Sequence, residues 1–314
     1  MPSRPPPSLT GPDRMFPHAV ARRVRTFVHI EAAGGVVLLI ATVAALIWAN
    51  GPAAGSYDSF WRTDVTLFAF GDFELTDTLG HWVNDGLMAI FFFVVGLEIK
   101  SELVTGELRD RRRAAVPIIA AVGGMVVPAL LFVAFNAGGD GVGGWGIPMA
   151  TDIAFALGVL ALLGPRIPSS LKVFLLTLAI IDDVGAILVI AIFYTAELSF
   201  LWLLVAAGLL AAIGGLRRIG VWYTPLYVLL GVGVWVATLE SGVHATIAGV
   251  ALGVMAPAVA LRPDPKQNAI DGDTTIDDIR HVIFDARETV PVTDRLIHSL
   301  HPISSFLILP VFAL

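Results

Sequence analysis

Two aspartate-containing stretches are the parts of this sequence most suited to chemistry. Thr151-Asp152 lies in the otherwise apolar stretch 145–158, and Asp182-Asp183 lies in the apolar stretch 178–187. A carboxylate at the centre of a bilayer costs about 2.5–3.5 kcal/mol even on insertion scales, and ionisable residues there mark ion or proton paths by default. We therefore interpret these aspartates as parts of an ion or proton site. The alternative is that these carboxyl groups are structural and form hydrogen bonds or ion pairs with neighbouring residues.

The composition is that of an integral membrane protein. The chain has 314 residues, of which 56% are hydrophobic and only 15% are charged, and its mean hydropathy is +0.80. Soluble domains carry about 25% charged residues. Cysteine is absent, which excludes disulfides and cysteine-ligated metals. The net charge of −6 comes without a basic face, so we expect membrane lipid around the protein and no nucleic-acid partner.

Nine stretches have the length and polarity of membrane spans, each of which needs about 20 mostly apolar residues. They cover about 30–50, 79–99, 114–136, 145–163, 171–195, 199–216, 221–239 and 242–260, and a ninth runs from about Asp294 to Leu314. These stretches lack the alternation of strands, and only helices or closed barrels satisfy backbone groups in lipid. The sequence therefore predicts an all-α polytopic membrane protein.

The charges of the loops predict the orientation. All lysines and arginines except Arg62 fall at the N-terminus or on every second loop. The positive-inside rule then places the N-terminus in the cytoplasm. Residues 1–17 are polar and rich in proline, so we predict a disordered cytoplasmic segment over 1–28. The membrane domain then covers 29–314 and includes a cytoplasmic loop at 261–293.

The first outer loop is predicted to contain a small β-hairpin between spans one and two. Within residues 62–77, Gly71-Asp72 separates two β-prone runs, and a two-residue Gly-Asp connection of this kind is typical of a hairpin. A lone hairpin is only marginally stable in water, so we expect it to pair with another surface. A second copy of the chain, giving a homodimer, and the protein's own bundle are both candidates.

The fourth span is predicted to be discontinuous. Pro148 lacks an N–H group and clashes with the preceding turn, and a broken helix is tolerated in a membrane only where it lines a cavity or packs in protein. Free carbonyls and the Thr151 hydroxyl could then ligate a hard cation together with Asp152. Ligation by oxygen alone suits Na⁺ or Li⁺ better than a transition metal. An ordinary proline kink is the alternative.

Asp182 and Asp183 point about 100° apart on a helix, so they cannot face one site equally. Burial favours the protonated form of a carboxyl group, and a second carboxylate nearby favours it further. Such a group can hold either a proton or a cation, and competition between the two for one site is the physical basis of exchange. Which aspartate is the primary ligand stays open.

Several long motifs, in this order along the chain, resemble the signatures of NhaA-type Na⁺/H⁺ antiporters. They are Phe91-Phe-Phe-Val-Val-Gly-Leu-Glu-Ile-Lys-Ser-Glu102, Gly123-Gly-Met-Val-Val-Pro128, Ala150-Thr-Asp-Ile-Ala-Phe-Ala-Leu-Gly-Val-Leu160, Leu178-Ala-Ile-Ile-Asp-Asp-Val-Gly-Ala-Ile187 and Ser241-Gly-Val-His-Ala-Thr-Ile-Ala-Gly249. The resemblance covers about 29–314, apart from a longer loop at 261–293. This family is itself an established example of inverted repeats with broken helices at the membrane midplane. The resemblance therefore implies an NhaA-like inverted-repeat helical bundle.

The resemblance also implies the function. It makes the chain a secondary active antiporter, not an enzyme, that exchanges cytoplasmic Na⁺ or Li⁺ for external H⁺ in the plasma (inner) membrane without a cofactor. Asp182 and Asp183 become the site of the transported cation and the proton. Thr151 and Asp152 become the residues that stabilise the crossing of the broken helices.

Three further residues match family positions linked to pH response: Glu98, Glu102 and His244. From the residues alone, Glu98 and Glu102 form an i,i+4 pair of acids at the end of a span, for which a solvated helix edge is the plainer interpretation. Histidine changes charge near neutral pH, but a lone histidine beside Gly242 is more often a packed residue. The outer end of the second span contributes Asp85 as a weaker candidate for the outer funnel.

The chain departs from the family at its end. Family members continue with further spans, including a second broken helix that crosses the first and a lysine that neighbours the aspartates. This sequence ends within the ninth predicted span, at Leu314. We therefore expect a C-terminally incomplete member, and the alternative function is an inactive membrane fragment. An intramembrane aspartyl protease and a prenyl-transfer enzyme are disfavoured, because the contexts of the aspartates lack the motifs of both.

Overall fold

The computed structural model describes residues 31–70, 73–151, 156, 169–195, 198–221, 223–258 and 290–314. The helices are α1 (Glu31–Asn50), α2 (Ala54–Trp61), α3 (Leu79–His81), α4 (Met88–Val104), α5 (Arg111–Asn136), α6 (Ser169–Phe193), α7 (Phe200–Arg218), α8 (Thr224–Glu240), α9 (Thr246–Met255), α10 (Val292–Ile303) and α11 (Leu309–Ala313). Two π-helical segments, Trp82–Leu87 and Ser304–Ile308, lead from α3 into α4 and from α10 into α11. The mostly helical fold predicted from the sequence is confirmed.

Several helices have membrane character. Among the residues that the structure describes, four helical stretches are long and apolar enough to cross a bilayer, namely Ala33–Asn50, Ala114–Asn136, Phe200–Arg218 and Val292–Ala313. Thr224–Glu240 and Thr246–Met255 are shorter apolar helices. On α1, Ile40 and Ile47 are 62% and 69% exposed, which fits a surface in contact with lipid. The number of nine spans and the inverted repeat stay predictions.

Helices α4 and α9 pack with their backbones in contact. A Cβ placed on Gly249 would clash with the carbonyl oxygen of Ala89, and one placed on Gly253 would clash with that of Phe93. From the other side, a Cβ on Gly96 would lie 2.6 Å from the carbonyl oxygen of Val250. Without a hydrophobic drive between helices in lipid, small residues four apart allow this close approach. Glycine at these positions therefore makes α4 and α9 one closely packed pair.

Helix α4 also packs against α6 in the centre of the bundle. Val95 and Ile99 of α4 form a buried cluster with Ile180 of α6, and Val250 and Val254 of α9 pack against this cluster. The cluster fixes the position of α6 two residues before its aspartate pair.

Helix α6 also packs against α5. Here Met125 and Ala129 of α5 form a buried cluster with Met149, and Val189 of α6 packs against it. The close approach of α5 to Gly185 of α6 is made by the side chain of Met125 and not by backbone. This interface is therefore filled by flexible side chains.

The first outer loop contains a two-stranded antiparallel sheet of β1 (Asp64–Phe70) and β2 (Phe73–Thr78), with a register irregularity between Thr66 and Phe68. The indole N–H of Trp82 donates to the carbonyl of Val65 at 2.7 Å, which ties the sheet to the first π-helical segment. The connecting residues Gly71-Asp72 lie outside the described residues, so the predicted turn itself stays a prediction.

The stretch of the predicted fourth span begins without α-helix. Two 3-10 turns, Asp140–Gly144 and Ile147–Met149, precede an extended Ala150 with ψ of 132°. Pro148 stands at the start of the second turn, where its missing N–H costs no helical hydrogen bond. Thr151 follows in irregular backbone. The discontinuity predicted here is consistent with this segment.

Other predictions fall on parts of the chain that the structure does not describe. These are the N-terminal segment 1–28, Asp152, and most of the loop 261–293. The described chain resumes at Val290, and α10 begins at Val292, two residues before the predicted start of the ninth span at Asp294.

Candidate functional site

The aspartate pair lies near the middle of α6 and faces two different neighbours. Asp182 is buried, with 4% of its surface exposed, and Asp183 is partly buried. The Thr151 hydroxyl donates a hydrogen bond to the Asp182 carboxylate. The Asp183 carboxylate interacts electrostatically with Glu98 of α4. The angle of about 100° between consecutive helical residues thus turns one aspartate toward the irregular segment and the other toward α4.

The contact between Thr151 and Asp182 depends on the local sequence of both segments. Asp182 is held in place by a regular helix with strong apolar packing around Ile180. Thr151 reaches it from a backbone that has left helical geometry at Ala150. Thr151 lies in irregular backbone there, and its hydroxyl donates to the Asp182 carboxylate. Asp152, the next residue, lies outside the described residues.

The acidic end of α4 is joined to α6 by a second polar contact. The Thr177 hydroxyl donates to Oε1 of Glu102 at 3.2 Å, and Thr177 is buried, with 2% of its surface exposed. Glu98 lies one helical turn before Glu102 and is half-buried. The two glutamates are therefore turned toward α6 and its carboxylates, and the interpretation as a freely solvated helix edge does not fit their contacts.

The third pH-response candidate lies elsewhere. His244 is in the loop between α8 and α9, and its Nε2 is 3.1 Å from the carbonyl oxygen of Tyr194. Because a carbonyl only accepts, this ring nitrogen carries the proton in the bond. From Thr177 to Tyr194 the helix rises about 26 Å. Glu102 and His244 therefore contact opposite ends of α6.

Asp85 lies near His244, at the same end of α6. Asp85 lies in the first π-helical segment and interacts electrostatically with His244, His81 and Asp77. Its backbone carbonyl accepts a 2.7 Å hydrogen bond from the indole of Trp235. π-Helical turns are frequent at functional sites, and this one directs an acidic residue toward the histidine.

The arrangement around α6 can bind a small hard cation. Asp182 and Thr151 supply a carboxylate and a hydroxyl, and all the donors are oxygens, which suits Na⁺ better than a softer metal. Among the described residues, no group of three or more His, Asp or Glu side chains has the placement of a tightly held metal centre.

Sequence reasoning missed Thr177 and Tyr194, both of which contact the predicted residues. Thr177 is one of the few polar residues in α6, but its five-residue separation from Asp182 places it about 140° away around the helix, so its spacing did not indicate a shared face. The spacing Gly249-x-x-x-Gly253 was a recognisable signal of close helix packing. Nothing in the sequence alone singles out Tyr194.

Fold and site together define a helical protein with stretches long and apolar enough to cross a membrane and with buried carboxyl and hydroxyl groups on α6. The family model described as Na⁺/H⁺ antiporter 1 matches residues 25–314. The chain therefore belongs to the Na⁺/H⁺ antiporter 1 family.

Relatives with this family's name are similar over most of the chain. A Na⁺/H⁺ antiporter NhaA 3 of Frankia alni is 50% identical over 319 residues, covering 100% of this chain and 68% of the relative. An NhaA antiporter of Oleidesulfovibrio alaskensis is 50% identical over 310 residues, covering 92% and 68%. One named NhaA 2, of Sorangium cellulosum, is 45% identical over 326 residues, covering 98% and 69%. The chain thus spans about two thirds of the length of these relatives.

Proposed function

We propose that this protein exchanges Na⁺ for H⁺ across a membrane, as secondary active antiporters of its family do. The observation that carries the proposal is the buried Asp182 carboxylate, which is hydrogen-bonded to Thr151 on a backbone that has left helical geometry. A buried carboxylate needs a proton or a cation to compensate its charge, so one site can hold either. The inactive-fragment alternative is not favoured, because the family resemblance extends over the whole of the described membrane domain.

The two aspartates have different parts in this exchange. Asp182 ligates Na⁺ or Li⁺ with the help of the Thr151 hydroxyl. Asp183 faces Glu98 and carries the proton, because two neighbouring carboxyl groups are disfavoured in a doubly ionised state. A cation at Asp182 lessens the repulsion between the two carboxylates and so favours release of the proton from Asp183, whereas protonation disfavours cation binding.

The test is Na⁺-driven recovery of a pH-sensitive dye in everted vesicles from antiporter-deficient bacterial cells. Asp182→Asn and Asp183→Asn should each reduce the recovery at least about 100-fold, the loss expected when one partner of a buried charged site is removed. Asp58→Asn is the matched control, because Asp58 is exposed in α2. Recovery at the wild-type rate in both α6 variants would show that the ion site lies elsewhere.

Glu98, Glu102 and His244 are proposed to set the pH at which exchange begins. Glu98 faces Asp183, Glu102 is bound to Thr177, and His244 is bound to the end of the same helix. All three thus act on α6. Glu102→Gln and His244→Gln should each shift the pH profile of exchange without abolishing its maximum, and a profile that stays unchanged in both would remove them from this role.

The proposed orientation places the N-terminus in the cytoplasm of a cell whose inner membrane holds the protein. Because the chain has no cysteine, single cysteines report sidedness cleanly. Arg112→Cys and Arg218→Cys should resist an impermeant thiol reagent in intact cells, and Asp58→Cys should react. Labelling of the first two from outside would reverse the topology.

The sheet of the first outer loop is proposed to join two copies in a homodimer. Both edges of a two-stranded sheet carry backbone groups that can pair with another strand, and Leu67 of β1 is 62% exposed. Leu67→Cys should then give a disulfide-linked dimer on mild oxidation in membranes. A strictly monomeric product at that position would favour packing on the protein's own bundle.

A further inference from the structure

Tyr194 joins the end of α6 to the segment that leads to Thr151. Its hydroxyl donates to the carbonyl of Gly143 at 2.9 Å and accepts from the N–H of Gly146 at 2.9 Å. Tyr194 also continues the hydrogen bonding of α6, since its own N–H donates to Ile190 at 3.1 Å. One phenol thus satisfies two backbone groups of a segment that has no regular helix of its own.

The surroundings of this phenol are fitted to it. A Cβ on Gly146 would lie 2.7 Å from the Tyr194 hydroxyl oxygen, so only glycine leaves the N–H open to the tyrosine. The ring of Trp145 packs on that of Tyr194 with centroids 6.2 Å apart, and on Phe193 in an edge contact at 5.1 Å. The ring contacts hold the tyrosine in place independently of its hydroxyl.

The connection from this anchor to the ion site is short. Five residues lead from Gly146 to Thr151 and span at most about 17 Å. Along α6, Asp182 and Tyr194 are separated by a rise of about 18 Å. Tyr194 follows the last residue of α6 directly, and the 3-10 turn Ile147–Met149 takes up part of the connection, so a short and partly ordered segment joins the two anchors. Pro148, with its fixed φ, stiffens the connection further.

We propose that Tyr194 is a positioning residue for ion binding. Its hydroxyl fixes the irregular segment against α6 at one end, so that the Thr151 hydroxyl meets the Asp182 carboxylate at the other. Its carbonyl, which accepts from His244, extends the same connection to the loop before α9. This inference rests on the proposed Na⁺/H⁺ exchange, because it assigns Tyr194 a part in binding the transported cation.

The first test measures the position of the segment and does not depend on transport. Spin labels at Ile147→Cys and Leu188→Cys, which are 75% and 55% exposed, report the distance between the segment and α6 in a chain without native cysteine. We expect a single narrow distance distribution with Tyr194 and a broadened one with Tyr194→Phe, which keeps the ring and removes the hydroxyl. An equally narrow distribution in Tyr194→Phe would overturn the proposal.

The second test measures exchange. Tyr194→Phe should raise the KM for Na⁺ roughly 5- to 10-fold, the effect of about one net hydrogen bond, with little change in the maximal rate. Tyr227→Phe is the matched control, because its hydroxyl also donates to a backbone carbonyl, that of Val221 at 2.6 Å, and should leave the KM unchanged. A KM within twofold of the wild-type value in Tyr194→Phe, or an equal rise in the control, would overturn the positioning role.

A third variant separates positioning from general damage. Gly146→Ala should also raise the KM, because its methyl group would displace the Tyr194 hydroxyl. Adding Tyr194→Phe to this variant removes the shortest contact of the new methyl group but leaves the ring carbons Cε2 and Cζ at 3.0 and 3.1 Å. The rise in KM of the double variant should therefore be smaller than the two single effects combined, whereas independent structural damage would give the full combined rise. If the wild-type chain shows no Na⁺-driven exchange at all, the proposed function fails, while the label distances still decide the role of Tyr194 in holding the segment.

Discussion

The two helix interfaces on either side of the carboxylate region use glycine in opposite ways. Between α4 and α9, the glycines contact backbone atoms of the other helix. A Cβ on Gly96 would lie 2.6 Å from the Val250 carbonyl oxygen, and a Cβ on Gly249 or Gly253 would also clash with a backbone carbonyl. Between α5 and α6, Gly185 meets only the end of the Met125 side chain, and no described atom lies within 4 Å of a Cβ on Gly123. One interface is fixed by main chain, whereas the other is filled by side chains that can adjust.

This difference separates a rigid part of the molecule from an adaptable one. Backbone contacts between helices have no rotamers with which to respond, whereas methionine fills irregular space and changes rotamer readily. Alternating access requires one group of helices to move against another. We therefore expect α4 and α9 to move as a unit and the displacement to be taken up along α5 and α6, where Asp182 and Asp183 lie.

The largest effect is expected where backbone meets backbone. In Gly253→Ala the new methyl group would clash with Phe93 and with the Cα of Gly96 at 2.8 Å, so the helices must separate. Overpacking of this kind costs about 1–3 kcal/mol and occasionally more, and we expect the upper end. The measurement is the melting temperature of the purified protein in detergent.

The control for this prediction is Gly214→Ala on α7, where a Cβ would be 3.5 Å from the flexible end of Met255. It should melt within a few degrees of the wild type. A wild-type melting temperature for Gly253→Ala would show that α4 and α9 can separate freely. The interface between α4 and α9 would then not be rigid.

A smaller effect is expected at the adaptable interface. In Gly185→Ala the methyl group meets Met125 Sδ and Cε, which can move away, so we expect a loss of about 1 kcal/mol in stability. Met125→Ala alone creates a cavity and should cost about 2–5 kcal/mol. Combined, the two changes should cost less than the sum of their separate costs, because the methyl group added at position 185 fills part of the cavity that Met125→Ala leaves. Additive melting temperatures would indicate that the two groups do not share this space.

The hydrogen bond from Thr177 to Glu102 is one polar contact between the rigid and adaptable parts. Thr177→Val keeps the shape and removes the hydroxyl, which should cost about 1 kcal/mol and change the pH dependence of exchange, since Glu102 is released. Thr177→Ser, which keeps the donor, should retain the wild-type profile. An unchanged profile in both variants would mean that this bond connects the helices without affecting transport.

The sequence predicted the helices better than it predicted the contacts between them. Apolar length alone located α1, α5 and α7 to within a few residues, because membrane spans are set by composition. The spacing of Asp182 and Asp183 predicted that they face different neighbours, but which neighbours depends on how α4 packs. The bond from Tyr194 to Gly143 joins residues far apart in the chain, and such pairs follow from tertiary packing that no local pattern encodes.

The smallest effect is expected at Gly123, on the side of α5 away from the carboxylates. No described atom lies within 4 Å of a Cβ there, and its φ is not among the positive values, so alanine fits without strain. Alanine is about 1 kcal/mol more favourable than glycine inside a helix, and Gly123→Ala should therefore leave the melting temperature unchanged or slightly raised, with wild-type exchange. Gly124→Ala, equally open, is the matched variant. A loss of exchange in Gly123→Ala with normal melting would show that this face closes against another surface during the transport cycle, and that the adaptable interface extends around α5 to its outer side.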